Sequence, residues 1–182
     1  MQNINRAIKK ASEGTTGNFS ESTFEAYGFG GASFVINVNT DNDNRANADV
    51  RVAVGKNKGK MAEMGSVLFM YDRKGVLEVS GVVDEEALLE AAIENGIDEY
   101  ELEVEKDESD GDYSVIYVES QDAGAMMNTL QGMGFENCKM ELKYISKAPV
   151  EVSEEEFELN MKIVDALEEL DDVDSVEHNM SN

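Results

Sequence analysis

The order of hydrophobic periods along this 182-residue chain predicts an α+β protein built of two ferredoxin-like (βαββαβ) domains, the second inserted into the first. Three observations carry that expectation. Residues 75–145 read strand, helix, strand, strand, helix, strand. The flanking pieces, 32–80 and 153–178, spell the same order once the middle is taken out. One strand cannot serve both sheets fully, so 75–80 is read as the crossover. The expected boundaries are 1–18 for a short helix and linker, 19–76 plus 150–182 for the discontinuous domain, and 77–149 for the inserted acidic one.

Taken in chain order, residues 3–13 place Ile4, Ala7, Ile8 and Ala11 at helical spacing between Asn3 and Gly14, and the polar TTGNFSES run separates this helix from the body. Strands follow near 23–28 and 32–40, where Phe34, Ile36 and Val38 alternate. A helix is expected near 43–57, then a hairpin of strands 66–72 and 75–80 around an Asp72–Gly75 turn. The helix near 84–95 has Asp84 as its cap and Leu88, Leu89, Ala92 and Ile93 on its apolar side. Strands near 99–105 and 113–119 flank the DESDGD turn, a helix spans 122–132, and a strand runs from 136 to 145. The last helix, 153–170, opens on the S-x-x-E pattern of Ser153 and Glu156, a capping box, and a strand from Val173 to His178 closes the fold.

The charge is strongly acidic, a formal −24, and unevenly placed. Residues 1–60 carry 8 Lys+Arg against 6 Asp+Glu, so the acidic excess lies wholly after them, and Arg45, Arg51, Lys56, Lys58 and Lys60 form the main cationic cluster. An acidic surface repels nucleic-acid phosphate and anionic membrane, which confines any phosphate contact to that early cluster. The later part offers itself to a basic protein partner. No run approaches the roughly 20 apolar residues a membrane helix needs, and MQNINRAIKK lacks a secretory apolar core. A single cysteine, Cys138, permits no internal disulfide. The chain is expected to work inside the cell, in the cytoplasm or, in a eukaryote, the mitochondrion, without a membrane role.

Candidate sites concentrate in TFEAYGFGGASFVINVNTDNDNRANADVR, residues 23–51. Tyr27, Gly28, Gly30 and Gly31 form a turn whose backbone N–H groups can cradle an anion, although the same glycines also suit a tight inter-strand turn, the reading we prefer. GFGGAS lacks the third glycine and the following helix of a dinucleotide fold. In TDNDNR, Asp41 to Asn44 supply helix-capping groups, and a calcium loop is disfavoured because Arg45 and Ala46 stand where ligand and glycine belong. His178 has no second histidine to share a metal, and Cys138 has no base. Met126, Met127, Met133 and Met140 suit a core better than an adaptable surface. No triad, metal set or phosphate loop is present, so no enzyme, cofactor or metal is expected.

Four segments together resemble the YebC/PmpR family of gene-expression regulators: NINRAIKKASEG, the 23–51 run with its YGFGG and TDNDNR, GSVLFMYDRKGVLEV, and MKIVDALEELDDVDSVEHN. Phe29, Asp43 and Ala46 depart from the family's YGPGG and TDNRNRT. The resemblance implies a basic N-terminal helical domain, represented here only by residues 1–18, followed by two α+β domains. It also implies binding to RNA and the ribosome as a translational activator or, alternatively, to DNA as a transcriptional regulator. Transferred onto this chain, the contact residues are Tyr27, Gly28, Gly30, Gly31, Asn42, Asn44, Arg45, Arg51, Lys56, Lys58 and Lys60.

Overall fold

The computed structural model describes residues 18–107 and 109–181. The helix expected over 3–13 and most of the linker after it lie outside them. The described chain forms two compact units, one of residues 18–72 with 145–181 and the other of residues 73–144.

The first unit contains β1 (Ser20–Tyr27), β2 (Ser33–Thr40), α1 (Asp43–Lys56), β3 (Lys60–Met61), and, after the excursion through the second unit, α4 (Glu154–Glu168) and β8 (Val173–His178). Its sheet runs β3-β1-β2-β8 and is antiparallel throughout. Phe34, Ile36 and Val38 of β2 point to one face, where α1 contributes Val50 and Val54 and α4 contributes Ile163 and Leu167 to a single core. Ser153 and Glu156 do form the reciprocal capping box at the start of α4.

The second unit consists of β4 (Tyr71–Ser80, from Arg73 on), α2 (Glu85–Glu94), β5 (Tyr100–Glu105), β6 (Tyr113–Glu119), α3 (Ala123–Gly132) and β7 (Lys139–Ser146, to Tyr144). The sheet order β5-β6-β4-β7 is that of a ferredoxin-like βαββαβ unit. Leu77, Val79, Leu88, Ala92, Ile116, Met126 and Leu130 fill its core. Met127 and Met133 pack against that core, whereas Met140 is exposed.

One expected element is absent and another is longer. No strand spans 66–72; Leu68–Met70 is a 3-10 turn, and β4 runs unbroken through the expected Asp72–Gly75 turn, so 75–80 pairs only within the second sheet. Gly75 is glycine for proximity, since a Cβ there would stand 2.5 Å from Cβ of Ala123, at the start of α3. In the first sheet the edge place expected for 66–72 is taken by the short β3, and the middle place expected for 75–80 by β1, which lies between β2 and β3. That arrangement keeps the split β-α-β of β2, α1 and β3 but supplies the middle strand from the N-terminal side of the hairpin.

Candidate nucleic-acid interface

The β1–β2 hairpin closes over Gly28–Ala32, with Gly28 N–H donating to Ala32 O at 2.8 Å and Ala32 N–H to Phe29 O at 3.1 Å. Gly30 and Gly31 have φ of +66° and +84°, a region costly for side-chain-bearing residues. Two asparagines far away in sequence hold this turn. Buried Asn160 on α4 accepts the Phe29 N–H at 2.8 Å and donates back to Phe29 O at 3.1 Å. Asn179 accepts the Ser33 N–H at 2.8 Å and donates to Gly31 O at 3.4 Å. The N–H groups of Gly28, Phe29 and Ala32 are therefore consumed inside the fold. Those of Gly30 and Gly31, both exposed, have no acceptor among the described residues.

Beside the turn lies a loop held by one carboxylate. Glu25 is 3 % exposed and accepts N–H groups from Gly65 (2.6 Å), Val67 (2.7 Å) and Leu68 (2.8 Å). Its neighbour Tyr27 donates its hydroxyl to Ser66 O at 3.3 Å. Tyr71, whose phenol is pushed up by burial, donates to Ser33 O at 3.0 Å. The loop so fixed leaves Met64 (93 %) and Phe69 (68 %) in solvent.

Helix α1 carries the cations, and its two ends differ. At its N-terminus Asn42 is the cap, accepting the Arg45 N–H at 3.1 Å, while Asp43 accepts the Ser20 hydroxyl at 2.7 Å and Asn44 is exposed. Arg45 is already engaged: it binds Asp41 at 2.8 Å and Asp172 at 3.0 Å, and hydrogen bonds to those carboxylates raise its pKa further. It borders an open cleft also lined by Asp49, Glu169, Asp171 and Asp172, so the local balance is negative. Arg51, midway along the helix, donates to Asn47 at 2.9 Å.

At the C-terminus the picture reverses. Lys56 ends the helix, Lys58 adopts φ +61°, and Lys60 pairs with Tyr27 in the β1–β3 register. Gly59 lies close enough that a Cβ would stand 3.3 Å from Tyr27 O. All three lysines are exposed, and none joins an ion pair among the described residues. The structure thus gathers Tyr27, Gly28, Gly30, Gly31, Lys56, Lys58 and Lys60 at one end of α1. Asn42, Asn44 and Arg45 lie at the other, about 20 Å away along a 14-residue helix.

Sequence reasoning did not single out Glu25, Asn160, Asn179 or Asp172. Nothing local marks them, because each acts on a segment far along the chain. His178 accepts the Met180 N–H at Nδ1 (3.2 Å) and is held below its usual pKa by burial. Burial pushes the Cys138 thiol up, away from the reactive thiolate. Among the described residues no three of His, Cys, Asp or Glu are placed to hold a metal ion, and no helix is long and apolar enough to cross a membrane.

These features define a two-unit α+β protein in which three exposed lysines, Lys56, Lys58 and Lys60, stand beside a glycine turn without an ion pair among the described residues. Residues 19–180 match the family model described as "TACO1/YebC second and third domain", and the chain belongs to that family. A probable transcriptional regulatory protein of Trichormus variabilis is 40% identical over 97% of this chain and 69% of its own length. One from Gloeothece citriformis is 41% identical, over 97% and 70%. The crystal structure of a conserved hypothetical protein from Aquifex aeolicus superposes with a TM-score of 0.74 at 34% identity, over 99% of this chain and 72% of that one.

Proposed function

We propose that the protein regulates gene expression by binding RNA, on the ribosome, through the surface where Tyr27, Gly30 and Gly31 adjoin Lys56, Lys58 and Lys60. The observation that carries this reading is the set of three exposed lysines that have no carboxylate partner among the described residues, in a chain of net charge −24. Lys58 strengthens it. Its left-handed backbone would cost a glycine less, and strained backbone tends to cluster at functional positions. Tyr27 and the exposed Phe69, on a loop pinned to the same strand, add rings on which unpaired bases stack, which favours single-stranded RNA over duplex. No catalytic role is proposed.

The second reading is a DNA-binding transcriptional regulator, favoured by the names of the relatives. Filter binding with ribosomal RNA, ribosomes and promoter duplexes separates the two. For RNA, neutralising three phosphates predicts a slope of log affinity against log salt of about −2. Lys56→Glu, Lys58→Glu and Lys60→Glu together should abolish binding, whereas Arg45→Gln should change it less than about twofold because its charge is already neutralised. Equal losses from both variants, or tighter binding to duplex DNA than to RNA, would overturn the RNA reading.

A further inference from the structure

The second unit, residues 73–144, holds 5 Lys+Arg against 19 Asp+Glu, and its sheet distributes them unevenly. β5 is an edge strand, paired only with β6 among the described residues. Glu101, Glu103 and Glu105 stand opposite Tyr117, Val115 and Tyr113, on the face away from the core that Leu102 and Ile116 enter. All three are exposed, and among the described residues no cation pairs with any of them. Toward the other edge every lysine is neutralised: Lys74 meets Glu119, Lys139 meets Glu78 at 3.5 Å, and Lys143 meets Glu141 at 3.0 Å. The uncompensated charge on this face is therefore one negative row, spaced every second residue along a strand with a free hydrogen-bonding edge.

We propose that β5 is the docking strand for an extended, lysine- or arginine-rich peptide segment of a partner protein. The segment adds as a further strand beside β5. Its main-chain groups use the free edge, and its alternate basic side chains lie across from Glu101, Glu103 and Glu105. The same row rejects a second copy of this chain, since β5 against β5 would set carboxylate opposite carboxylate. Tyr117 contributes an aromatic surface to the face, its hydroxyl donating to Glu103 at 3.3 Å. This site shares no residue with the proposed RNA surface and does not depend on it.

The test titrates the full chain with a heptapeptide alternating lysine and valine and, separately, with its glutamate–valine counterpart, reading affinity and amide hydrogen exchange. The lysine peptide should bind saturably and raise protection across residues 100–105, and the glutamate peptide should not bind. Neutralising the row as E101Q/E103Q/E105Q should weaken binding at least tenfold. The helix control E154Q/E155Q/E158Q should stay within twofold. Equal weakening in both variants, or protection gained elsewhere, would reduce the effect to diffuse attraction and overturn the proposal. As a second measurement, E101K/E103K/E105K should exchange preference to the glutamate peptide, and a folded variant binding neither peptide also overturns it.

Discussion

Replacing Glu25 by alanine should unfold the first unit's loop before anything else and lower its stability by about 3 kcal/mol. The figure follows from the geometry. Three N–H groups at 2.6, 2.7 and 2.8 Å lose a charged acceptor, and hydrogen bonds to charged groups are worth about 1.5–3 kcal/mol each when their donors stay buried. Only Val67 of the three donors is fully buried; Gly65 is exposed and Leu68 half-buried, so water recovers much of the loss at two sites. Val67 contributes the largest share, and its side chain, wholly buried, loses packing when the loop lifts. With a urea slope near 1.5 kcal/mol per molar, the midpoint should fall by about 2 M. Glu25→Gln keeps the size and one good acceptor but turns an NH2 toward N–H groups, and should cost about half as much. Urea unfolding read by circular dichroism, with hydrogen exchange at Gly65, Val67 and Leu68, measures both effects. If Glu25→Ala leaves those three amides as protected as before, the carboxylate does not hold the loop and the argument fails.

Gly28→Ala should cost about 3 kcal/mol or more, because its Cβ would lie 2.1 Å from Asn160 Oδ1 and 2.8 Å from the Phe34 ring, whereas Gly55→Ala, with nothing within 4 Å, should stabilise α1 by roughly 0.5–1 kcal/mol; thermal melts of the pair decide it. His178 is held below its usual pKa, so its contribution is complete above pH about 6.5 and is lost as pH falls through its lower folded-state value; subtracting the unfolding curves of a His178→Asn variant from those of the wild type should isolate this acid-side loss, and a pH-independent difference would contradict it. Lys58→Gly should raise stability by about 1 kcal/mol while weakening RNA binding, measured by melting and filter binding on the same protein; a glycine that stabilises without weakening binding would remove Lys58 from the interface.

The helices and most strands were legible because their signals are local: Asp84 and Ser153 cap where the sequence places caps, and Phe34, Ile36 and Val38 alternate into the core. SVLFMY was misread as a strand for an equally physical reason. Its β-forming composition is overridden by Glu25, which takes the N–H groups a sheet would need, and a residue forty positions upstream leaves no trace in a local window. Gly75 misled similarly. A glycine after Asp-Arg-Lys suggests a turn, yet the structure uses it to admit Ala123 to the strand.

The division of residues 23–51 between the two ends of α1 bears on the proposed RNA surface. The glycines of YGFGG are first of all packing residues, since Asn160 and Asn179 consume the hydrogen-bonding groups around them, and of this turn Gly30 and Gly31 keep N–H groups without an acceptor among the described residues. TDNDNR is likewise committed, with Asn42 to the helix start and Arg45 to two carboxylates. An anion approaching the α1 N-terminus meets Asp41, Asp49, Asp171 and Asp172 around one cation, whereas an anion approaching the opposite end meets three lysines without an ion pair among the described residues, with Glu156 the carboxylate beside Gly30. At a Debye length of about 8 Å, ends separated by about 20 Å are electrically independent. Charge reversal at Lys56, Lys58 and Lys60 therefore has to act on binding without help from Arg45, which is why the two variants, compared side by side, localise the interface more sharply than either could alone.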